Sequence, residues 1–532
     1  MKRNRFTFIV AILLIGSLLA GCAGGGSKPA ANGGGGTSGG GEEAVLYHAY
    51  ISTPYVTLDP SSEQSNGIMV LQNVYETLTR YNELTGEVEP LLATQWSASE
   101  DGLTWVFAIA EGVAFHDGSF MNAQSVANSI NRTIDLGMGA AYIWDSVESI
   151  EASGDYEVTF TLSYAAPLDL IASAGYAAYI MSDSVVDKDT EWFNQGNDGG
   201  TGPYTIDQAT GDTIVLKAFE DYRGGWQDNQ YKNIFIKEVS ESSARRQLLE
   251  TGEAQIASDF SSTDLDALRG MTDKVNIYEA GTFTNVLLCL NTESEPMSNA
   301  DFRRAMAYCF PYDEAIESVL DGNGVQSYGM IPGGLWGHDE SLFQYTTDLD
   351  KAREYLDKSG IDYEGLSLLM AYPNGFDEYA SWGQLLQVNL KQLGISLELR
   401  SMEWDAQWAQ AQNNDPSTRQ DIFVFQWWPD YPSPAAWFDV LVHSEQDITF
   451  NLAYVNDPEF DAMCEEANAL VVSDRDKAET IYIELQKKLV EDCPYIVPYD
   501  SMRAYALSPA ISGVHENPAY ATAVQYYSVT HN

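Results

Sequence analysis

The sequence predicts a mixed chain, α/β with α+β segments, folded as two hinged lobes. Three observations predict it. Strand-like and helix-like segments alternate through the 491 residues from Glu42 to Asn532. A buried-strand signal at residues 283–291 is followed by a stretch richer in helices, and a second apolar strand, Tyr495-Ile496-Val497-Pro498-Tyr499, offers a return path. Two crossings between lobes make a hinge that can close on a ligand.

The chain opens with Lys2, Arg3 and Arg5, then an apolar run from Phe6 to Ala20 that is too short to span a bilayer and ends in small residues. That pattern is a secretory signal over residues 1–21. Leu19-Ala20-Gly21-Cys22 resembles a bacterial lipobox, which makes Cys22 the lipidated N-terminus of the mature chain and its membrane anchor. Residues 23–41 are almost only Gly, Ser, Ala, Asn and Thr, and cannot bury enough apolar area to offset ordering. As a flexible tether they hold the body on the order of 25 Å from the lipid. Serine-nucleophile and dinucleotide-loop matches within 34–40 lie in this low-complexity run, with no strand before or helix after them, and are discarded.

The formal charge is −49, and loss of the three basic signal residues takes it to −52. Phosphate backbones are bound by Lys and Arg, so nucleic acid is excluded as a partner. Such acidity favours solubility outside the cell. Of five cysteines, four remain once Cys22 is acylated. No zinc spacing occurs among them, and disulfides and buried thiols stay equally open.

Along the body, Val45–Ser52 reads as a strand stopped by Leu58-Asp59-Pro60, and Met69–Tyr81 has helical spacing. Residues 104–110 form a strand that turns at Glu111-Gly112 into Phe115-His116-Asp117-Gly118, and Asn122 caps a helix over residues 123–134. Glu157–Leu162 is a strand, and a hairpin turns at Gly211-Asp212. Ile234–Val239, Ser242–Thr251 and Ala254–Ser258 alternate strand, helix, strand. Beyond the hinge at 283–292 come helices at 301–310, 312–320, 349–358 and 378–393, strands at 395–400 and 422–427, and a helix at 474–491. The predicted division is a first lobe over 42–285 with an extra subdomain at about 85–200, a second lobe over 286–500, and a return to the first over 501–532.

Several of these segments together resemble one family. They are Leu58-Asp59-Pro60, Trp105 to Gly118, Gly202-Pro203-Tyr204, Asp221-Tyr222-Arg223-Gly224-Gly225, Asn291, Phe302-Arg303-Arg304-Ala305, Asp350-Lys351-Ala352, Gly394-Ile395, and Trp427 to Pro434 with Asn456 to Asp461. In order and spacing the mature chain is similar to the peptide- and nickel-type solute-binding proteins of ABC importers, family 5. The resemblance implies a bilobal periplasmic-binding-protein-like fold, no catalysis, no cofactor or metal, and a monomer that hands its solute to permease subunits at the outer face of the cytoplasmic membrane.

The same resemblance places Asp430, in Trp427-Trp428-Pro429-Asp430-Tyr431, against a peptide α-ammonium, and sets Trp427 and Trp404 on the cleft. An ammonium entering a closed cleft must meet an opposite charge or lose several kcal/mol of solvation. Trp428, alternating with Trp427, is expected in the core. Gln64 and Asn66 are expected on the opposite wall. Where oligopeptide receptors carry an arginine for the ligand carboxylate, this chain has Val424, and the nearest arginine is Arg419. A Trp-rich cleft also suits sugar faces, so an oligosaccharide remains the alternative ligand. His116 and Asp117 are read as turn residues, and Arg303 and Arg304 as salt-bridge formers. A lipid-anchored hydrolase is disfavoured by scattered histidines and by the lack of HExxH.

Overall fold

The computed structural model describes residues 44–520 and 522–532; the signal, Cys22 and the Gly-rich tether lie outside the described residues. The body is bilobal. Among the described residues the largest sheet is 12-stranded, and its two long central strands, Asn276–Leu290 and Asp500–Leu507, pair antiparallel with each other. On one side of them Val45–Tyr50 runs parallel to Asn233–Glu238 and Ile256–Ser258. On the other, Ser367–Pro373 runs parallel to Ser396–Met402 and Ile422–Trp427. The central pairing shifts register between Gly281 and Asn285. The strand expected from residue 283 thus begins at Asn276, and the second crossing is carried by Asp500–Leu507 just past the expected 495–499.

A separate antiparallel sheet of four strands, Ala93–Ala98, Thr104–Ile109, Glu157–Leu162 and Val147–Gly154, packs against the helix Ala123–Leu136 in the first lobe. Asn122 caps that helix by accepting from the Gln124 and Ser125 amides, while Ser125 reaches back to the Asn122 amide. Three cores form. One lies under the first-lobe sheet around Leu46, Ile214 and Ile236. One joins the second-lobe sheet to the helices Ala300–Cys309, Leu349–Ser359 and Asp377–Gln392. The third spans both lobes, from Phe107, Trp144 and Phe160 to Phe423, Trp437 and Tyr482. Across the lobes Arg475 pairs with Asp169 at 3.2 Å.

The helix expected over 69–81 is Ile68–Val74, and the chain then enters the strand Thr79–Asn82. The stop is tertiary. The Val74 carbonyl accepts from the Gly202 amide at 2.9 Å, and a Cβ on Gly200 would lie 2.0 Å from that carbonyl oxygen. Two other motifs also prove structural. Asp59 is fully buried and takes a bidentate pair from Arg132, at 2.7 and 2.8 Å, plus the Thr190 hydroxyl at 2.8 Å. His116 Nδ1 lies 2.5 Å from Asp198, and Asp117 accepts from Ser119, Ser182 and Ser184. Burial would raise the Asp117 carboxyl, but those serines hold it down at about 2. The second lobe's Arg303 donates to the carbonyls of Met297 and Asp492, and Arg304 pairs with Asp301. All four described cysteines are free and buried.

Candidate functional site

The strand Ile422–Trp427 is buried on both faces, and its ends decide the site. Phe423, Phe425 and Trp427 point into the shared core, while Ile422 and Val424 point into the second-lobe core. Trp427 is 8% exposed, packs between Phe425 and Phe450, and donates its Nε1 proton to the Ala436 carbonyl at 2.9 Å. Gln426, and Trp428 just past the strand's end, are only partly buried. Both line a cavity of about 380 Å³. Trp427 thus takes the packed position, while Trp428, expected in the core, is partly buried against the same core and also lines the cavity.

The opposite wall comes from the first lobe. Glu63 is buried, and its carboxylate gathers the Thr57, Ser65 and Gly67 amides, which sets the loop after Asp59 and brings Asn66 to the cavity. The Asn66 amide donates to Ser52 Oγ at 3.0 Å. Tyr176, Asp259 and Arg503 complete the charged and aromatic lining. Arg503 is 3.1 Å from Glu516 and 4.0 Å from Asp259.

Past Pro429 the chain turns Asp430 into a second cavity of about 280 Å³, with Tyr142, Asp145, Tyr164 and Asp439 in its lining. Tyr142 comes from the first-lobe turn Ala141–Trp144, and its hydroxyl donates to Asp430 Oδ2. No Lys or Arg lines this cavity. Burial pushes the Asp430 carboxyl up to about 6, and the Tyr142 hydrogen bond offsets only part of that. A half-buried carboxylate with a hydroxyl for company, and no Lys or Arg beside it, can meet a ligand cation. Tyr176 lines the larger cavity and lies within electrostatic reach of both Asp430 and Arg503.

Residues 87–448 match the family model of the bacterial extracellular solute-binding proteins, family 5 (middle region). The chain belongs to this family. It is therefore a binding protein and not an enzyme. A curated relative, the probable D,D-dipeptide-binding periplasmic protein DdpA of Escherichia coli (strain K12), is 28% identical over 475 residues, covering 87% of this chain and 90% of that protein. The ABC transporter-associated periplasmic binding protein DppA of Helicobacter pylori, in complex with the peptide STSA, superposes with a TM-score of 0.76 at 22% identity over 92% of this chain and 98% of that one. NikA of Brucella suis, in complex with Fe(III)-EDTA, gives 0.80 at 20% identity, over 92% and 100%. These likenesses establish the fold.

In the family 5 fold the other expected residues separate. Trp404 opens the helix Trp404–Ala411 at 47% exposure, tilted against Trp408, and lines neither cavity. Gln64 is exposed and also lines neither. Val424 is fully buried opposite Leu288. Arg419 is committed elsewhere, to Glu293 at 2.6 Å and to the Tyr454 ring at 4.1 Å. What sequence reasoning missed is Arg503, with Asp259 and Tyr176. Their one sequence signal is a charged side chain in the apolar returning strand, Met502-Arg503-Ala504. Among the described residues no group of His, Cys, Asp and Glu could hold a metal, and no helix is long and apolar enough to cross a membrane.

Proposed function

We propose that this protein is the lipid-anchored receptor of an ABC importer: it binds peptides between its lobes outside the cytoplasmic membrane and delivers them to the permease. Cys22 carries the anchor and the Gly-rich run is the tether. The observation that carries the peptide reading is Asp430, a half-buried carboxylate in a cavity without Lys or Arg, touched by Tyr142. An α-ammonium there replaces the missing counter-charge and bridges both lobes, so ligand and closure favour each other. The backbone then runs past Tyr176 and Trp428 into the larger cavity, where Arg503 receives the carboxylate end that Val424 cannot. The D,D-dipeptide name of the Escherichia coli relative and the peptide held by the Helicobacter pylori protein support this ligand class.

Calorimetry with a free tripeptide and its N-acetylated form tests it. Acetylation removes the ammonium and is expected to weaken binding by about thirtyfold or more, as for a desolvated charge pair. Equal affinity of the two forms refutes the assignment of Asp430. For the anchor, Cys22→Ser is expected to move the protein from the membrane fraction to the medium, and retention in the membrane refutes lipidation at that residue.

A further inference from the structure

The cavity around Asp430 holds more negative charge than one ammonium can meet. Besides Asp430 it is lined by Asp439 and Asp145, and by no Lys or Arg. Asp439 belongs to the turn Phe438–Val442 that follows the Asp430 loop. Asp439 is exposed toward the cavity space, yet desolvation by the surrounding protein pushes its carboxyl up to about 6, offset only in part by the Asn468 hydrogen bond and then by His443. One group fixes it: the Asn468 amide donates to both Asp439 oxygens at 2.8 and 2.8 Å, while the Asn468 carbonyl accepts from Tyr482. A carboxylate has about four lone-pair sites, so a single amide leaves Asp439 room for a further donor.

Two neighbours independently mark this space as a ligand subsite. Ser146 is 2% exposed and lines the cavity, and its hydroxyl has no hydrogen-bond partner among the described residues. Tyr164, 56% exposed, presents its ring to the same space within electrostatic reach of Asp145 and Asp439. A hydroxyl acceptor, an aromatic face and an oriented carboxylate are the groups that hold an ammonium or guanidinium.

We infer that this cavity selects peptides whose first residue has a basic side chain, with the α-ammonium on Asp430 and the side-chain cation on Asp439 between Tyr164 and Ser146. The inference rests on the peptide reading of Asp430 and adds the identity of the first side chain. A neutral first residue that fills the space desolvates Asp439 without giving it a cation, whereas lysine or arginine supplies the counter-charge as it displaces the water there. Asp145, nearest to Tyr164, adds to the field without needing direct contact.

Titration calorimetry on the mature chain at pH 7.0, with Lys-Ala-Ala, Arg-Ala-Ala and norleucine-Ala-Ala, separates the two levels. Norleucine matches the length of lysine without its charge. The inference predicts that the basic peptides bind at least about tenfold more tightly than the norleucine peptide, and that Asp439→Asn closes the gap to within about twofold. Asp430→Asn weakens all three. Equal binding of lysine and norleucine peptides to the unaltered protein, with both weakened by Asp430→Asn, overturns the inference and leaves the peptide reading standing. Failure of all three peptides to bind overturns both.

Discussion

Replacing Asp430 with Asn is expected to separate stability from binding. In the ligand-free protein burial holds this carboxyl at about 6 instead of 3.8, which corresponds to at most about 3 kcal/mol of folding free energy lost once it is ionised, reduced where water reaches the half-buried carboxylate. The sign follows from proton counting. A carboxyl with a raised folded value binds its proton more readily folded than unfolded, so stability falls as pH rises from about 4 to about 6, and the full cost is present at pH 7.5. Asn keeps the shape and still accepts from Tyr142, but carries no charge. Ligand-free Asp430→Asn is therefore expected to be more stable than the parent at pH 7.5, by up to about 3 kcal/mol, and equal to it at pH 4. Binding moves the opposite way, because the ligand ammonium loses its partner; the loss is about 2 to 5 kcal/mol, or some thirtyfold to several thousandfold. Urea denaturation without ligand and calorimetry with a tripeptide measure the two effects. Between pH 7 and pH 5 the parent loses affinity as protons compete for Asp430, and the variant's slope is shallower by about one proton. A variant with unchanged affinity and unchanged pH slope refutes this account of the site.

Four further outcomes are expected. Arg132→Ala strands the fully buried Asp59 and costs about 3 to 5 kcal/mol in urea denaturation; a loss below about 1 kcal/mol contradicts the reading of that pair as structural. Trp428→Ala weakens a tripeptide by about tenfold or more in calorimetry, while Trp404→Ala changes affinity by less than about twofold, since only Trp428 lines a cavity. Arg503→Gln abolishes the preference for a free C-terminal carboxylate over its amide; an undiminished preference assigns the carboxylate to another group. The thiols of Cys289, Cys309, Cys464 and Cys493 stay silent to an aqueous thiol reagent until denaturant is added, because burial raises all four and shields them.

The fold is legible in the sequence because its signals are local. Asn122 starts a helix, Gly211-Asp212 turns a hairpin, and residues 422–427 form a strand as expected, each set by neighbours along the chain. The helix after Met69 ends early because Gly200 and Gly202 pack on Val74, a contact that helical periodicity cannot carry. The same limit governs the site. Alternation assigns residues 422–427 to two faces, but a strand with an apolar core on each side has no polar face to say which one opens. Asp259, on one strand's end, meets Arg503 only through the pairing of Ile256–Ser258 with Asp500–Leu507. Asp430 was reachable through its loop motif, whereas Asp439 acquires meaning only from Asn468 and the cavity they share.

The most direct test is to purify the mature protein without refolding, denature it, and identify by mass spectrometry what the cleft carried. The account predicts short peptides with free N-termini, enriched in lysine or arginine at the first position and absent from Asp430→Asn purified in parallel. A glycan or a metal chelate in their place, retained equally by Asp430→Asn, contradicts it.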